Sequence, residues 1–118
     1  MRFFVRFATV ARMKVAFLMQ DTRTLYGAEQ ATVRLIQGLA GAGVGVVAIL
    51  LRETRLGAGE SALAGALARL APVVEIPVRG RFSRAAVARI RECMAAEKAE
   101  VLHSTGYKAD WHAGLAAH

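Results

Sequence analysis

The chain has 118 residues and a net charge of +7; 55% of its residues are apolar and 7% of all residues are aromatic. One modest domain with an aliphatic, alanine-rich core fits that length, and a disordered chain does not. The positive charge favours acidic partners such as phosphates, nucleotides or anionic headgroups. The basic residues are scattered apart from a loose concentration at Arg79, Arg81, Arg84, Arg89 and Arg91. These lack the array of interleaved aromatics that a base-stacking platform requires, so no nucleic-acid partner is expected.

Residues 1–12, MRFFVRFATVAR, have their apolar positions interrupted by Arg2, Arg6 and Arg12 and lack a small-x-small cleavage site, which argues against a signal peptide. They read as an extension ahead of a domain spanning residues 13–118. The alternative is a short basic amphipathic segment lying on a membrane. Residues 14–20 (KVAFLMQ) are a short apolar run, read as a strand buried on both faces as in a parallel sheet. Residues 21–27 follow as a loop. Residues 28–40 carry Ala28, Ala31, Leu35, Ile36 and Leu39 at the spacing of one helix face, and Gly41 and Gly43 end that helix. Residues 44–51 (VGVVAILL) make a second buried strand. The uncharged stretch 35–51 is near the minimum for a membrane span, but its clustered glycines and its change of period favour helix, turn and strand.

Residues 52–59 read as a loop, 60–70 as a helix, and 73–78 as a third strand. Ser83 is a good N-cap for a helix to about Glu97 with Ala86, Ile90 and Met94 on one face. Residues 100–104 (EVLHS) form a fourth strand, 105–108 a loop, and 109–118 the start of a further helix. Strict strand–helix alternation with apolar strands predicts an α/β fold, a doubly wound, Rossmann-like parallel sheet. Residues 109–118 carry no stop signal, and an apolar fourth strand at the edge would be exposed. Further strands and helices are therefore expected beyond this sequence.

Ligands of such sheets bind outside the C-terminal ends of the strands. Two loops there carry candidate chemistry. In Tyr26-Gly27-Ala28-Glu29, glycine at the helix start lets backbone N–H groups approach a ligand; a plain turn with Glu29 as a cap is the competing reading. In His103-Ser104-Thr105-Gly106-Tyr107-Lys108, His103 ends the strand, Thr105 and Gly106 offer a hydroxyl and amides, and Lys108 adds a charge. A strand-end histidine and a solvated lysine are the alternative. The patterns at 43–48 and 57–62 resemble a dinucleotide fingerprint only loosely: one precedes a strand and the other lacks the tight turn. His103, His112 and His118 lack ligand spacing, so no metal site is expected. The single cysteine, Cys93, excludes an intrachain disulfide, fits a reducing cytoplasm and reads as core packing.

Together these loops resemble the glycosyltransferase family 4-like N-terminal domain of GT-B enzymes. That family often reads strand, G-G-A-E, a helix ending L-A-x-x-G-H-x-V, and later D-V-V-H-x-H-x-x-K-A-D. Here the counterparts are Met13-Lys14-Val15-Ala16-Phe17-Leu18-Met19, Tyr26-Gly27-Ala28-Glu29, Leu35-Ile36-Gln37-Gly38-Leu39-Ala40 with Gly43, and Glu100-Val101-Leu102-His103-Ser104-Thr105-Gly106-Tyr107-Lys108-Ala109-Asp110. Tyr26 stands where a second glycine is common, Val44 where histidine is frequent, and Ser104-Thr105 replaces the second histidine.

The resemblance implies the acceptor-side half of a retaining, metal-independent hexosyltransferase that uses a nucleotide sugar as donor and needs no cofactor. The acceptor would be a glycan, a lipid or a small molecule, as in cell-envelope glycan biosynthesis. It implies that Gly27, with Tyr26 beside it, lines the cleft near the donor diphosphate. His103 would be the catalytic residue facing the transferred sugar, with Thr105 and Lys108 contacting substrate. The family's E-x7-E motif and donor-binding C-terminal domain are absent from these residues, so the chain alone is expected to be inert. A cytoplasmic place, with peripheral contact at the inner membrane face, would follow. The reading from another class is a non-enzymatic Rossmann-like module that binds a phosphorylated ligand or a partner protein.

Overall fold

The structure is a computed structural model that describes residues 13–56 and 59–117. The 1–12 extension with its membrane reading, the first two residues of the 57–62 glycine pattern, and His118 lie outside the described residues. The elements in chain order are β1 (Lys14–Gln20), α1 (Gly27–Gly41), β2 (Gly45–Glu53), a 3-10 turn (Thr54–Leu56), α2 (Ala62–Ala68), β3 (Val73–Val78), α3 (Arg84–Glu97), β4 (Val101–Thr105) and α4 (Tyr107–Ala116). The four strands form one parallel sheet in the order β3-β2-β1-β4. This is the Rossmann-like α/β arrangement expected from the alternation of elements.

Position in the sheet explains each strand's composition. β1 and β2 are central, and their runs Val15–Met19 and Val46–Leu51 are buried without interruption. β3 is an edge among the described strands: Ile76 and Val78 point inward while Glu75 and Pro77 are exposed. A proline without an N–H is tolerated there because an edge strand needs fewer ladder bonds. The two faces carry separate cores. Phe17, Met19, Val46, Ala48 and Leu50 pack with Ile36 of α1 and Leu63 and Leu67 of α2. Leu18, Val47, Ile49, Leu51, Ile76 and Val78 pack with Ala86 and Ile90 of α3 and Ala109 of α4. Helices thus cover both faces, as doubly wound connections require.

Several local readings change. The buried residues of α1 are Thr32 and Ile36, with Val33 and Leu39 half-buried, whereas Leu35 is 45% exposed. The helix is rotated from its apolar-only reading because Thr32 can enter the core. Its hydroxyl donates back to the Ala28 carbonyl at 3.0 Å, so no polar group is left unpaired. The loop expected at 105–108 shrinks to one residue. Gly106 adopts φ +94°, open to glycine but strained for other residues, so β4 passes directly into α4 and Lys108 falls in the first helical turn. β2 runs two residues past its expected end, because Arg52 and Glu53 stay in register with Pro77 and Val78 of β3. α2 shortens to seven residues, and Ser61 caps it by accepting from the Ala64 amide at 3.0 Å. Ser83 caps α3 as expected, accepting from the Ala86 amide at 3.2 Å.

Two buried polar side chains brace the loops. Asp21 is 2% exposed, and its Oδ1 accepts from the Arg23 amide at 2.9 Å and the Ser61 hydroxyl at 2.6 Å. The turn after β1 is thereby tied to the cap of α2. His112 is fully buried in α4; its Nε2 accepts from the Ser83 amide at 3.2 Å, so Nδ1 carries the proton and donates to the Lys108 carbonyl at 2.8 Å. Loss of both hydrogen bonds in Asp21→Ala is expected to lower the unfolding free energy by about 2–3 kcal/mol, measured by urea denaturation. A change below the error of that measurement would show that the brace does not contribute.

Candidate functional site

The strand order reverses at β1. The chain moves one way through β2 to β3, then crosses back to set β4 on the other side of β1. The helices after β1 and β4 consequently lie on opposite faces, and their starts leave a cleft at the strand tips. That cleft has a volume of about 150 Å³. Met19, Gln20 and Thr22 line it from β1 and its turn, Ala28, Glu29 and Thr32 from α1, and Thr105 and Gly106 from the end of β4. The two loops that carry the sequence resemblance, far apart in the chain, therefore contribute to one cavity.

The expected site residues occupy different positions around it. Thr105 is in the lining, where it pairs in register with Met19. Tyr26 and Gly27 immediately precede the lining residues Ala28 and Glu29. Tyr26 is 67% exposed, and as N-cap of α1 it makes no side-chain capping bond. Gly27 has an ordinary φ, and a Cβ built on it meets nothing within 4 Å, so packing within the chain does not require glycine there. His103 is in mid-strand, paired in register with Phe17, and its ring centroid lies 5.0 Å from that of Phe17. Alternation along the strand puts it on the same face as Thr105, about 7 Å back from the tip. Lys108 turns to the other side of the sheet. Its side chain is only 11% exposed and donates to Glu53 Oε1 at 2.6 Å and to the Gly80 carbonyl at 3.2 Å.

Sequence reasoning did not find Glu53, which organises the tips of β2 and β3. Besides Lys108, it accepts from Gln20 Nε2 at 3.0 Å, while its Oε2 accepts from Arg55 Nε. The hydrogen bonds from Lys108 and then Arg55 hold this carboxyl below its ordinary value near 4.5, against burial, which pushes the other way. Around it lies a second cavity of about 350 Å³ lined by Glu53, Arg55, Val78, Gly80, Arg81 and Lys108. Only spatial proximity connects these residues: Glu53 and Lys108 are 55 positions apart. Gln20 and Thr22 were also missed, although the end of an apolar strand run is a general signal for such residues, and Thr32 inside α1 carries no such signal.

The β1–β4 cleft offers a carboxylate and three threonine hydroxyls, and no cationic side chain lines it. Such a surface suits a neutral, hydroxylated ligand better than a phosphate. Among the described residues no group of histidine, cysteine and carboxylate side chains is placed to hold a metal ion. Cys93 is half-buried against the α3–α4 core, and burial pushes its thiol pKa up. No helix among the described residues is long and apolar enough to cross a membrane. Comparison with protein-family models, curated proteins and solved structures returns no match.

Because the folded pKa of Glu53 is depressed, its contribution to stability is present above about pH 4.5 and fades as pH falls through the lower folded value. Glu53→Gln is therefore expected to be less stable than the parent chain near neutrality, with the gap closing in acid. Urea denaturation at about pH 7 and about pH 3 reads this. An equal gap at both pH values would contradict the assignment.

Proposed function

We propose that this chain is the acceptor-side Rossmann-like domain of a retaining GT-B glycosyltransferase, which transfers a hexose from a nucleotide sugar once a donor-binding domain is supplied. One observation carries the reading: Ala28 and Glu29 from the first resembling loop and Thr105 and Gly106 from the second line a single cleft at the point where strand order reverses. The cleft's chemistry supports a polyol acceptor. The Glu29 carboxylate can accept hydrogen bonds from sugar hydroxyls, and the Thr105 hydroxyl can donate or accept. His103 lies one side-chain repeat back along β4 on the same face as Thr105, behind the lining of the cleft, and in the proposal its imidazole serves the sugar from there. Gly27 leaves room for a ligand to approach the backbone at the start of α1, and Tyr26 offers an exposed ring beside it. Lys108 serves this site indirectly in the proposal, by holding α4 against Glu53.

The test is an amide-shift titration of the labelled chain with myo-inositol, N-acetylglucosamine and UDP-glucose. Neutral saccharides are expected to move Ala28, Glu29, Thr105 and Gly106, and Thr105→Val or Glu29→Gln to weaken the response several-fold. No sugar transfer from UDP-glucose is expected from the chain by itself. Turnover by the purified chain would contradict the half-enzyme reading. Shifts confined to other regions would contradict the acceptor assignment, and in favour of phosphorylated compounds alone they would support the non-enzymatic module instead.

A further inference from the structure

The cavity at the tips of β2 and β3 is unlike the cleft described above, and its chemistry points to a different ligand. Its lining carries three cations, Arg55, Arg81 and Lys108, against one anion, Glu53, for a net of +2 (3 − 1). Glu53 is already satisfied: Oε1 receives Gln20 and Lys108, and Oε2 receives Arg55. Arg81 makes no side-chain hydrogen bond or ion pair with the described residues. Arg55 is 80% exposed and has donor capacity beyond its one bond through Nε. Gly80 takes φ +75° between Val78 and Arg81, and a Cβ built on it meets nothing within 4 Å, so the backbone there is open to a ligand.

The cavity adjoins a second one of about 320 Å³, and Arg81 and Lys108 line both. The remaining lining of this second space is apolar: Phe82, Tyr107, Trp111 and Leu115. These side chains are between 41% and 77% exposed. They are not held out by disorder of the helix; Lys108 and His112 fix α4 beneath them. Tyr107 and Trp111 sit edge to face with centroids 6.5 Å apart, and Phe82 stacks on the buried His112 at 5.2 Å. The result is a cationic recess opening onto an aromatic shelf.

We infer that this joint cavity binds a small, soluble phosphate monoester whose non-phosphate part is flat or apolar. The phosphate lies between Arg81 and Arg55, and its body rests on Trp111 and Tyr107. Charge complementarity selects the monoester: it carries about −1.5 to −2 at neutral pH, which balances the lining, whereas a carboxylate or a diester leaves it half-neutralised. The aromatic shelf adds area that a free phosphate ion cannot use. This inference does not depend on the glycosyltransferase reading, since the two cavities share no lining residue.

Trp111 is the single tryptophan of the chain, so selectively excited tryptophan emission reports on the surroundings of this one side chain. The experiment titrates the full chain with phenyl phosphate, benzoate and inorganic phosphate, following Trp111 emission and the heat of binding. Phenyl phosphate is expected to bind saturably and change Trp111 emission, and inorganic phosphate to compete more weakly with little spectral change. Arg81→Gln is expected to weaken phenyl phosphate about tenfold. Tyr107→Ala should weaken it several-fold, and the remote exposed variant Arg69→Gln should leave it unchanged. Circular dichroism confirms that each variant is folded. The inference is overturned if Arg81→Gln binds as tightly as the parent, if benzoate matches phenyl phosphate, or if Trp111 responds only to vesicles containing anionic lipid. The last result would make the patch a membrane contact.

Discussion

The crossover that carries the chain from β3 past β2 to the far side of β1 is the constraint on which the rest of this structure depends. Parallel strands need a covering helix for each connection, and right-handed connections put α1 and α2 on one face and α3 and α4 on the other. β1 thereby becomes central and must be apolar on both sides, which Val15–Met19 satisfy. Its neighbours then send their following helices to opposite faces. The gap at the tips of β1 and β4 is a geometric result of that divergence.

Polar residues near the strand tips divide into those that brace the fold and those left open. Asp21, His112, Ser61 and Ser83 are used internally: each has hydrogen-bond partners that join one element to the next. Arg91 belongs with them, since its guanidinium donates to the Leu115 and Ala116 carbonyls and closes the end of α4. Glu53 and Lys108 are intermediate, for their pair anchors the start of α4 while both line the cationic recess. Glu29 and Thr105 have no side-chain hydrogen bond of this kind within the described residues, and both line the β1–β4 cleft. A buried, paired group is poor evidence of function; an available polar group in a recess is better.

Much of the fold was legible because parallel strands buried on both faces are unmistakable runs. KVAFLMQ and the β2 run admit few alternatives, and glycine and serine marked the helix ends. Gly43 takes φ +86° beyond α1, and Ser83 caps α3. The rotation of α1 was not legible, because a threonine that bonds to its own helix behaves as an apolar residue in packing while looking polar in sequence. The start of α4 is not legible for a different reason: Gly106 lets strand and helix abut, whereas residues 105–108 read as a loop in sequence. Of the site, the convergence of the two loops was inferable from strand-end positions, and Thr105 falls in the cleft. The Glu53–Lys108 pair was not inferable, since it depends on how far β2 continues and on where α4 begins. That displacement sends Lys108 toward the β2–β3 tips, and it separates a cationic recess from a neutral cleft where the sequence suggested one mixed site.

The account rests on β4 lying against β1, and nuclear Overhauser contacts between backbone protons test this most directly. Contacts linking Phe17 with His103 and Met19 with Thr105 are expected, with none from β4 to β3. Contacts from residues 101–105 to 73–78 instead would put the strands in sequential order, remove the reversal at β1, and leave the two loops at separate places on the sheet.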